Sequence, residues 1–231
     1  MRLEESMLRP VETILSGPAA AVMGVLALSA SEETVILDIG GTTTEIAILV
    51  GGEPLHEKDG AEISGYKTTV PALLTRSIGL GGDSKVTLEE GELMIGPQRE
   101  GPPVLLGGER VTPTDAVAVL KGAPFGDRER ARQALAKLGG ENGLTVKELA
   151  EQIVALFCQK VASAVNEVYL YLNSRSVYTV SEVLAPRDLK PVKITGMGGP
   201  AEFFIPRIAE EMNLDYEVLP YHESVNAIGA A

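Results

Sequence analysis

The spacing of apolar and polar positions divides the first 52 residues into a helix and a series of strands. Apolar residues recur through 16–28 behind Ser16-Gly17-Pro18, which predicts a helix that begins near that tripeptide. The run 34–39 is short and almost wholly apolar, which is typical of a strand buried on both faces. Residues 42–50 predict a second strand, and Gly51-Gly52 predicts a hairpin turn into a third.

The rest of the chain changes from strands to helices and then to two β-α units. Short strands and many glycines mark about 53–96, and the stretch 97–108 is a loop rich in Pro and Gly. Thr112 opens a run of helices, the longest at about 145–173 with apolar residues at helical spacing. The remaining predicted elements are a strand at 192–195, a helix at 200–212, a strand at 216–219 and a helix from 224.

Charge and composition remove several classes of function. The net charge is −12 without a cluster of Lys or Arg, which argues against a nucleic-acid partner. Cys158 is the sole cysteine, and its apolar neighbours predict a buried residue and not a nucleophile. We find no signal peptide and no membrane-spanning apolar run, so we expect a cytoplasmic setting. The chain ends inside a predicted helix, which suggests a domain of a longer polypeptide or one acting beside it.

The main candidate motif is Asp38-Ile-Gly-Gly-Thr-Thr-Thr-Glu45, between the first two strands. Gly40 and Gly41 allow the backbone to approach a phosphate closely, and successive N–H groups of such a turn bind anions. The hydroxyls of Thr42, Thr43 and Thr44 are further donors. Asp38, at the strand end, is placed to hold Mg²⁺ or to orient an attacking group. The alternative is a plain Gly-Gly hairpin with threonines that favour strands.

Two further loops are rich in glycine, at 77–84 and at 194–201. The first is also explained by a tight turn. The second lies between a strand and a helix, where nucleotides commonly bind, and it matches G-x-G-x-x-A. A dinucleotide-binding site is therefore an alternative, but it requires this motif on the first strand and an acid after the next one. The next strand here ends in Leu219-Pro220, which disfavours that alternative.

Other catalytic centres are disfavoured by the residues present. His56 and His222 are far apart and have no partners at ligand spacing, which argues against zinc. Ser16 does not lie in a G-x-S-x-G elbow, which argues against a serine hydrolase.

Taken together, the motifs resemble those of the hydantoinase A/oxoprolinase family, within the actin-like ATPase superfamily. The matching segments occur in the family's order and cover nearly the whole chain: Glu12-Thr-Ile-Leu-Ser-Gly-Pro-Ala-Ala, Asp38-Ile-Gly-Gly-Thr-Thr-Thr-Glu, Ile78-Gly-Leu-Gly-Gly-Asp-Ser, Ile95-Gly-Pro, Thr112-Pro-Thr-Asp-Ala and Val225-Asn-Ala-Ile-Gly-Ala. The family usually has Asp where Glu45 stands, Gly where Asp83 stands and Asn where Val117 stands.

The resemblance implies an α/β fold: a ribonuclease H-like (actin-like ATPase) lobe whose mixed sheet is flanked by helices. We expect one lobe over 1–231, with a β-rich insertion at about 53–110 and a helical segment at about 112–175. The resemblance also implies ATP and Mg²⁺, with Asp38 as the metal ligand. The nucleotide-binding residues that it implies are Gly40, Gly41, Thr42, Thr43, Thr44, Gly79, Gly81, Gly82, Ser84, Gly196, Gly198 and Gly199.

The implied activity is ATP-dependent hydrolysis of a small cyclic amide, in which phosphorylation of the carbonyl oxygen makes ring opening feasible. Asp38 and Asp115 are the candidate catalytic residues, although Asp115 is favoured more strongly as a cap of the helix after Thr112. Catalysis requires the family's missing N-terminal lobe or a companion subunit, because actin-like ATPases close two lobes over the nucleotide. The alternative is a non-catalytic ATP-binding module that regulates or reactivates a partner protein.

Overall fold

The computed structural model describes residues 7–8, 10–13, 15–57, 60–63, 66–70, 72–122, 125–140, 142–174 and 188–231. The strands are β1 (Thr34–Ile39), β2 (Thr44–Val50), β3 (Glu53–Pro54), β4 (His56–Glu57), β5 (Glu62–Ile63), β6 (Tyr66–Lys67), β7 (Ala72–Leu73), β8 (Thr75–Ile78), β9 (Val86–Glu89), β10 (Glu92–Ile95), β11 (Lys193–Met197) and β12 (Asp215–Val218). The helices are α1 (Ser16–Leu28), α2 (Pro113–Lys121), α3 (Arg128–Gly140), α4 (Val146–Ser174), α5 (Ala201–Met212) and α6 (Val225–Ala230), with short 3₁₀ turns at Pro10–Thr13 and Val104–Leu106.

The central sheet has six strands within the described residues, in the order β12-β11-β1-β2-β3, and β8 also pairs with β2. β1 runs parallel to β11, which runs parallel to β12, whereas β2 is antiparallel to its three partners. β1 therefore lies at the centre of a mixed sheet, and its carboxyl end meets that of β11. Asp38 pairs with Met197 of β11 and with Glu45 of β2.

The sheet is covered by helices on both faces, which explains the nearly continuous apolar sequence of β1. Val35, Leu37 and Ile39 belong to the larger core, which also contains Phe157 of α4 and Phe204 of α5. Ile36, between them, faces the smaller core formed with α1 and α6. Because successive side chains of a strand alternate between faces, Asp38 shares the α1/α6 face with Ile36.

Within the described residues the predicted elements are confirmed, with shifts at several ends; parts of the predicted β-rich stretch (58–59, 64–65 and 71) and of the helical run (123–124 and 141) lie outside them. β2 begins at Thr44 and not at 42, because the chain still turns through Thr43, whose carbonyl oxygen accepts from the Gly40 N–H at 2.9 Å. β11 extends to Met197, so that Gly196 lies within the strand and not in the turn after it.

The long helix α4 carries most of the apolar surface that buries the sheet. By length and composition it is the one helix among the described residues that is apolar enough to cross a membrane. Its side chains Phe157, Val161 and Val165 are fully buried in the larger core, which accounts for that composition. The absence of a membrane partner stays a prediction.

Candidate functional site

The predicted phosphate turn, Gly40–Thr43, connects β1 to β2 and is held by the second glycine loop. The N–H groups of Gly82 and Asp83 donate to the carbonyl oxygens of Gly40 and Gly41, at 2.9 and 2.8 Å. A Cβ on Gly81 would lie 2.5 Å from the Gly41 carbonyl, so the two loops are in backbone contact. Glycine is required at 81 because any side chain would displace the turn.

The third glycine loop reaches the same place because β11 runs parallel to β1. Gly198 has a φ of +97°, and a Cβ there would collide with the carbonyl of Ile39 and lie 2.9 Å from Asp38 Oδ1. Its N–H donates to the carbonyl oxygen of His222 at 2.8 Å, which ties the loop to the segment before α6. The three loops that the sequence singled out therefore meet at the carboxyl ends of β1 and β11, where open α/β sheets bind their ligands.

Asp38 is the half-buried residue of β1, just before the fully buried Ile39, and it projects toward α6. Asn226 Nδ2 donates to Asp38 Oδ2 at 2.9 Å. Burial raises the pKa of the Asp38 carboxyl, and the hydrogen bond from Asn226 opposes that shift. Asn226 lies in the segment 225–230 that resembles the family, but the sequence assigned it no role beside Asp38, which lies 188 residues away along the chain.

A second carboxylate lies beside Asp38 across the sheet. Glu45 is directly opposite Asp38 in the β1–β2 register, and Ser77 is opposite Glu45 in the β2–β8 register. Side chains at opposed positions share a face with their Cβ atoms about 5 Å apart. Ser77 Oγ donates to Glu45 Oε1 at 2.6 Å, which fixes the carboxylate. Glu45 is the last residue of the motif 38–45, but only the pairing of β1 with β2 places it next to Asp38.

The predicted hydroxyl donors separate into two groups. Thr44 is buried and donates to the carbonyl oxygen of Leu80 at 2.7 Å, and the buried Ser84 Oγ accepts from the Gly81 N–H at 2.9 Å. Both hydroxyls stabilise the loops internally. Thr42 is exposed and Thr43 half-buried, so these two are the accessible hydroxyls of the turn.

The remaining predicted glycines also separate by what they contact. Gly196 faces α5, where a Cβ would collide with the Ile205 side chain, and a Cβ on Gly79 would lie 3.0 Å from Pro97. Both therefore serve packing. A Cβ on Gly82 would lie 2.7 Å from Thr114 Oγ1, whereas Gly199 has no atom within 4 Å of that position. Gly199 thus faces open space.

A pocket of about 240 Å³ opens between the turn and the third loop. One side of the pocket is lined by the glycines Gly41 and Gly199 and by the polar side chains of Asp83 and Thr114, and the other side is mainly apolar. The apolar lining consists of Pro103, Leu106, Val117, Ala118, Phe125, Pro200, Phe203 and Phe204. An apolar slot beside the predicted phosphate turn suits a ligand with an aromatic part and a charged part.

Asp115 lies outside this arrangement of loops, at the start of α2. It is buried, and its carboxylate accepts from the backbone N–H groups of Val104, Leu105 and Thr112 at 3.1, 2.9 and 3.0 Å and from the Thr112 hydroxyl at 2.8 Å. Burial raises the pKa of its carboxyl, and these hydrogen bonds oppose the shift. The geometry supports the capping role, with Thr112 as the N-cap residue and Asp115 completing a capping box.

The mixed sheet, with Asp38 near the end of β1 and a glycine turn after it, has the fold of an actin-like ATPase lobe. More specifically, the chain belongs to the hydantoinase/oxoprolinase family, whose model matches residues 1–231. Caprolactamase subunit alpha of Pseudomonas jessenii is 29% identical over 231 residues, covering 92% of this chain and 31% of that one. 5-Oxoprolinase 1 of Arabidopsis thaliana is 30% identical over 125 residues, covering 50% of this chain and 10% of that one.

Two solved structures have the same fold. The ATP-dependent caprolactamase from Pseudomonas jessenii matches with a TM-score of 0.68 and 25% identity, over 92% of this chain and 32% of that one. Nucleotide-free acetone carboxylase matches with a TM-score of 0.73 and 23% identity, over 94% of this chain and 32% of that one. The chain thus spans about a third of the length of these proteins.

Proposed function

We propose that this chain is the ATP-binding lobe of an ATP-dependent hydrolase that acts on small cyclic amides. The observation that carries the proposal is the meeting of the Gly40–Thr43 turn, Gly198 and Asp38 at one edge of the sheet. Membership of the hydantoinase/oxoprolinase family and the resemblance to an ATP-dependent caprolactamase support the choice of ATP and of an amide.

In this proposal the turn binds the phosphates and the pocket binds the base. The Gly40 N–H is used within the turn, so the backbone N–H of Gly41 and the accessible hydroxyls of Thr42 and Thr43 supply the contacts to phosphate oxygens. Gly199 borders the adenosine, and the apolar pocket wall packs against the adenine ring.

The residues at the site fit a magnesium ion that is shared with the phosphates. Mg²⁺ in nucleotide sites is held by one or two carboxylates, with water and phosphate oxygens completing its coordination. Asp38 and Glu45 share a sheet face in adjacent positions, and the described residues contain no cluster of three or more His, Cys, Asp or Glu that would make a site without the phosphates. When bound, the ion neutralises charge on the transferring phosphoryl group.

A lactam reacts slowly with water, because amide resonance makes its carbonyl carbon a weak electrophile. Phosphorylation of the carbonyl oxygen overcomes this low reactivity. The lactam oxygen takes the terminal phosphoryl group of ATP and ADP leaves; water then opens the ring, with release of phosphate. Asp38 contributes by positioning the phosphoryl group, which is the main form of catalysis in phosphoryl transfer. We propose that a second lobe or companion subunit supplies the lactam-binding residues, since the relatives are about three times as long.

The test is coupled turnover in the complete protein, together with any companion subunit that co-purifies. Release of ADP and of ring-opened product is measured with Mg²⁺, ATP and a panel of 5-oxoproline, hydantoin and caprolactam. We expect ATP consumption that depends on one of these lactams, with one ADP formed per ring opened. Asp38→Asn should reduce both rates by at least about 100-fold, given the size of effects at preorganised charged sites.

Asp215→Asn is the matched control, because Asp215 is exposed at the opposite end of its strand, and it should retain full activity. Ring opening that proceeds without ATP would refute the proposal. ATP binding without lactam-dependent turnover, but with ATP hydrolysis stimulated by a partner protein, would favour the regulatory module instead.

A further inference from the structure

An arginine that the motifs do not include lies directly on the phosphate turn. The guanidinium of Arg99 contacts three segments: its Nη1 donates to Thr42 Oγ1 at 2.9 Å, its Nη2 pairs with Asp83 Oδ2 at 2.8 Å, and its Nε donates to the carbonyl oxygen of Gly101 at 3.2 Å. Its side chain is 40% exposed and that of Asp83 is 15% exposed. The charged group is therefore fixed in place while remaining accessible to a ligand.

Asp83, the ion-pair partner of Arg99, lies beside the turn at which we expect phosphate to bind. The Asp83 carboxylate lies against Gly41, because a Cβ there would be 2.5 Å from Asp83 Oδ2. Burial raises the pKa of the Asp83 carboxyl, while the charge of Arg99 and a hydrogen bond from Thr114 oppose that shift. A lone carboxylate at this position would repel a polyphosphate. Arg99 neutralises it.

Within the part of the chain that the structure describes, the pocket beside the turn has acidic side chains and no basic ones, so a bound polyphosphate needs a cation from elsewhere. The described residues lining the pocket include two carboxylates, Asp83 and Glu223, and no lysine or arginine. Arg99 is not itself a lining residue, but its hydrogen bond to Thr42 places a cation beside a polyphosphate bound at the turn. Three of its five N–H donors are engaged by the contacts above, which leaves two for phosphate oxygens.

We propose that Arg99 is a phosphate-binding residue of this site, oriented by Asp83 and Gly101, with Thr42 holding its Nη1 beside the turn. The proposal rests on the proposed function, since it assigns a ligand to the same site. An arginine suits this role because its planar fork presents paired donors and keeps its charge at every physiological pH.

The test compares nucleotide affinities in the complete protein, by calorimetric titration of ATP, adenosine and inorganic triphosphate. Arg99→Gln should weaken ATP binding at least about tenfold, as expected for loss of a charge-assisted hydrogen bond, and leave adenosine binding unchanged. Arg99→Lys, which keeps the charge without the fork, should give an intermediate loss. Arg110→Gln is the matched control, since Arg110 pairs with Glu100 on the exposed surface nearby, and it should bind ATP normally.

The outcomes separate this inference from the proposed function. Equal losses of ATP and adenosine affinity in Arg99→Gln would mean that Arg99 only holds the loops together, and unchanged ATP affinity would also overturn the inference. If the unaltered protein binds inorganic triphosphate but not ATP, and Arg99→Gln weakens the binding of triphosphate, the inference stands and the ATP-binding function fails. If it binds neither, both fail.

Discussion

Replacement of Gly198 by alanine tests whether the third loop is built on backbone contact with the end of β1. At φ +97° a side chain is strained, and the added Cβ would lie 2.7 Å from the Ile39 carbonyl carbon and 2.9 Å from Asp38 Oδ1. The strained backbone conformation costs about 1–3 kcal/mol. The forced shift of packed backbone adds about 1–3 kcal/mol more.

The summed destabilisation of roughly 2–6 kcal/mol corresponds to a fall in Tm of roughly 5–20 °C for a chain of this length. The neighbouring Gly199→Ala is a close control, because no atom lies within 4 Å of its new Cβ and its φ lies outside the left-handed range. It should change the free energy of unfolding by less than about 0.5 kcal/mol. Thermal melts followed by circular dichroism compare the two variants, and equal Tm values would refute the loop geometry described here.

Three further predictions concern residues away from the loops. Asp115→Ala leaves three backbone N–H groups and a hydroxyl without their buried acceptor, and should cost about 3–5 kcal/mol in urea unfolding. Burial would raise the pKa of Glu217, but hydrogen bonds from Ser29, Lys193, Thr195 and Ser31 lower it from 4.5 to about 2. Its stabilisation is therefore complete above pH 4.5 and lost as the pH falls toward 2, so Glu217→Gln should flatten that part of the stability–pH curve. Because the side chain is about a third exposed, we expect a loss of only about 1–2 kcal/mol at pH 7. Burial raises the pKa of Cys158 to about 12, so a thiol reagent at pH 8 should label the unfolded protein and spare the native one.

Each of these has a result that would contradict it. Asp127→Ala removes a cap at the exposed start of α3 and should cost only about 1 kcal/mol, so an equal loss in Asp115→Ala would argue against its buried role. An unchanged acid limb in Glu217→Gln would mean that the Glu217 carboxylate is not stabilised as described. Rapid labelling of native Cys158 would contradict its burial.

The fold and the loops could be predicted because their signals are local. The nearly all-apolar β1 and the glycine turns each consist of consecutive residues, and each follows from burial or from backbone geometry. The contacts made by Asn226 and Arg99 are not local, since their partners Asp38 and Thr42 lie 188 and 57 residues away. Only the folded topology brings such residues together.

Residue type alone also did not decide which members of a motif are accessible at the candidate site. Thr44 has the same hydroxyl as Thr42, but it is the first residue of β2 and donates inward to Leu80. Gly196 belongs to the same glycine motif as Gly199, yet β11 extends through it and turns it toward α5. The point at which each strand begins or ends set the direction of these residues, and strand boundaries are poorly defined by sequence patterns.

The most direct test of the central claim is an experimental structure of the complete protein with Mg²⁺ and a non-hydrolysable ATP analogue. We expect the phosphates to lie against the Gly40–Thr43 turn, the metal to lie on the side of Asp38 and Glu45, and the adenine to lie beside Gly199. A nucleotide bound elsewhere, with this turn facing solvent, would contradict it.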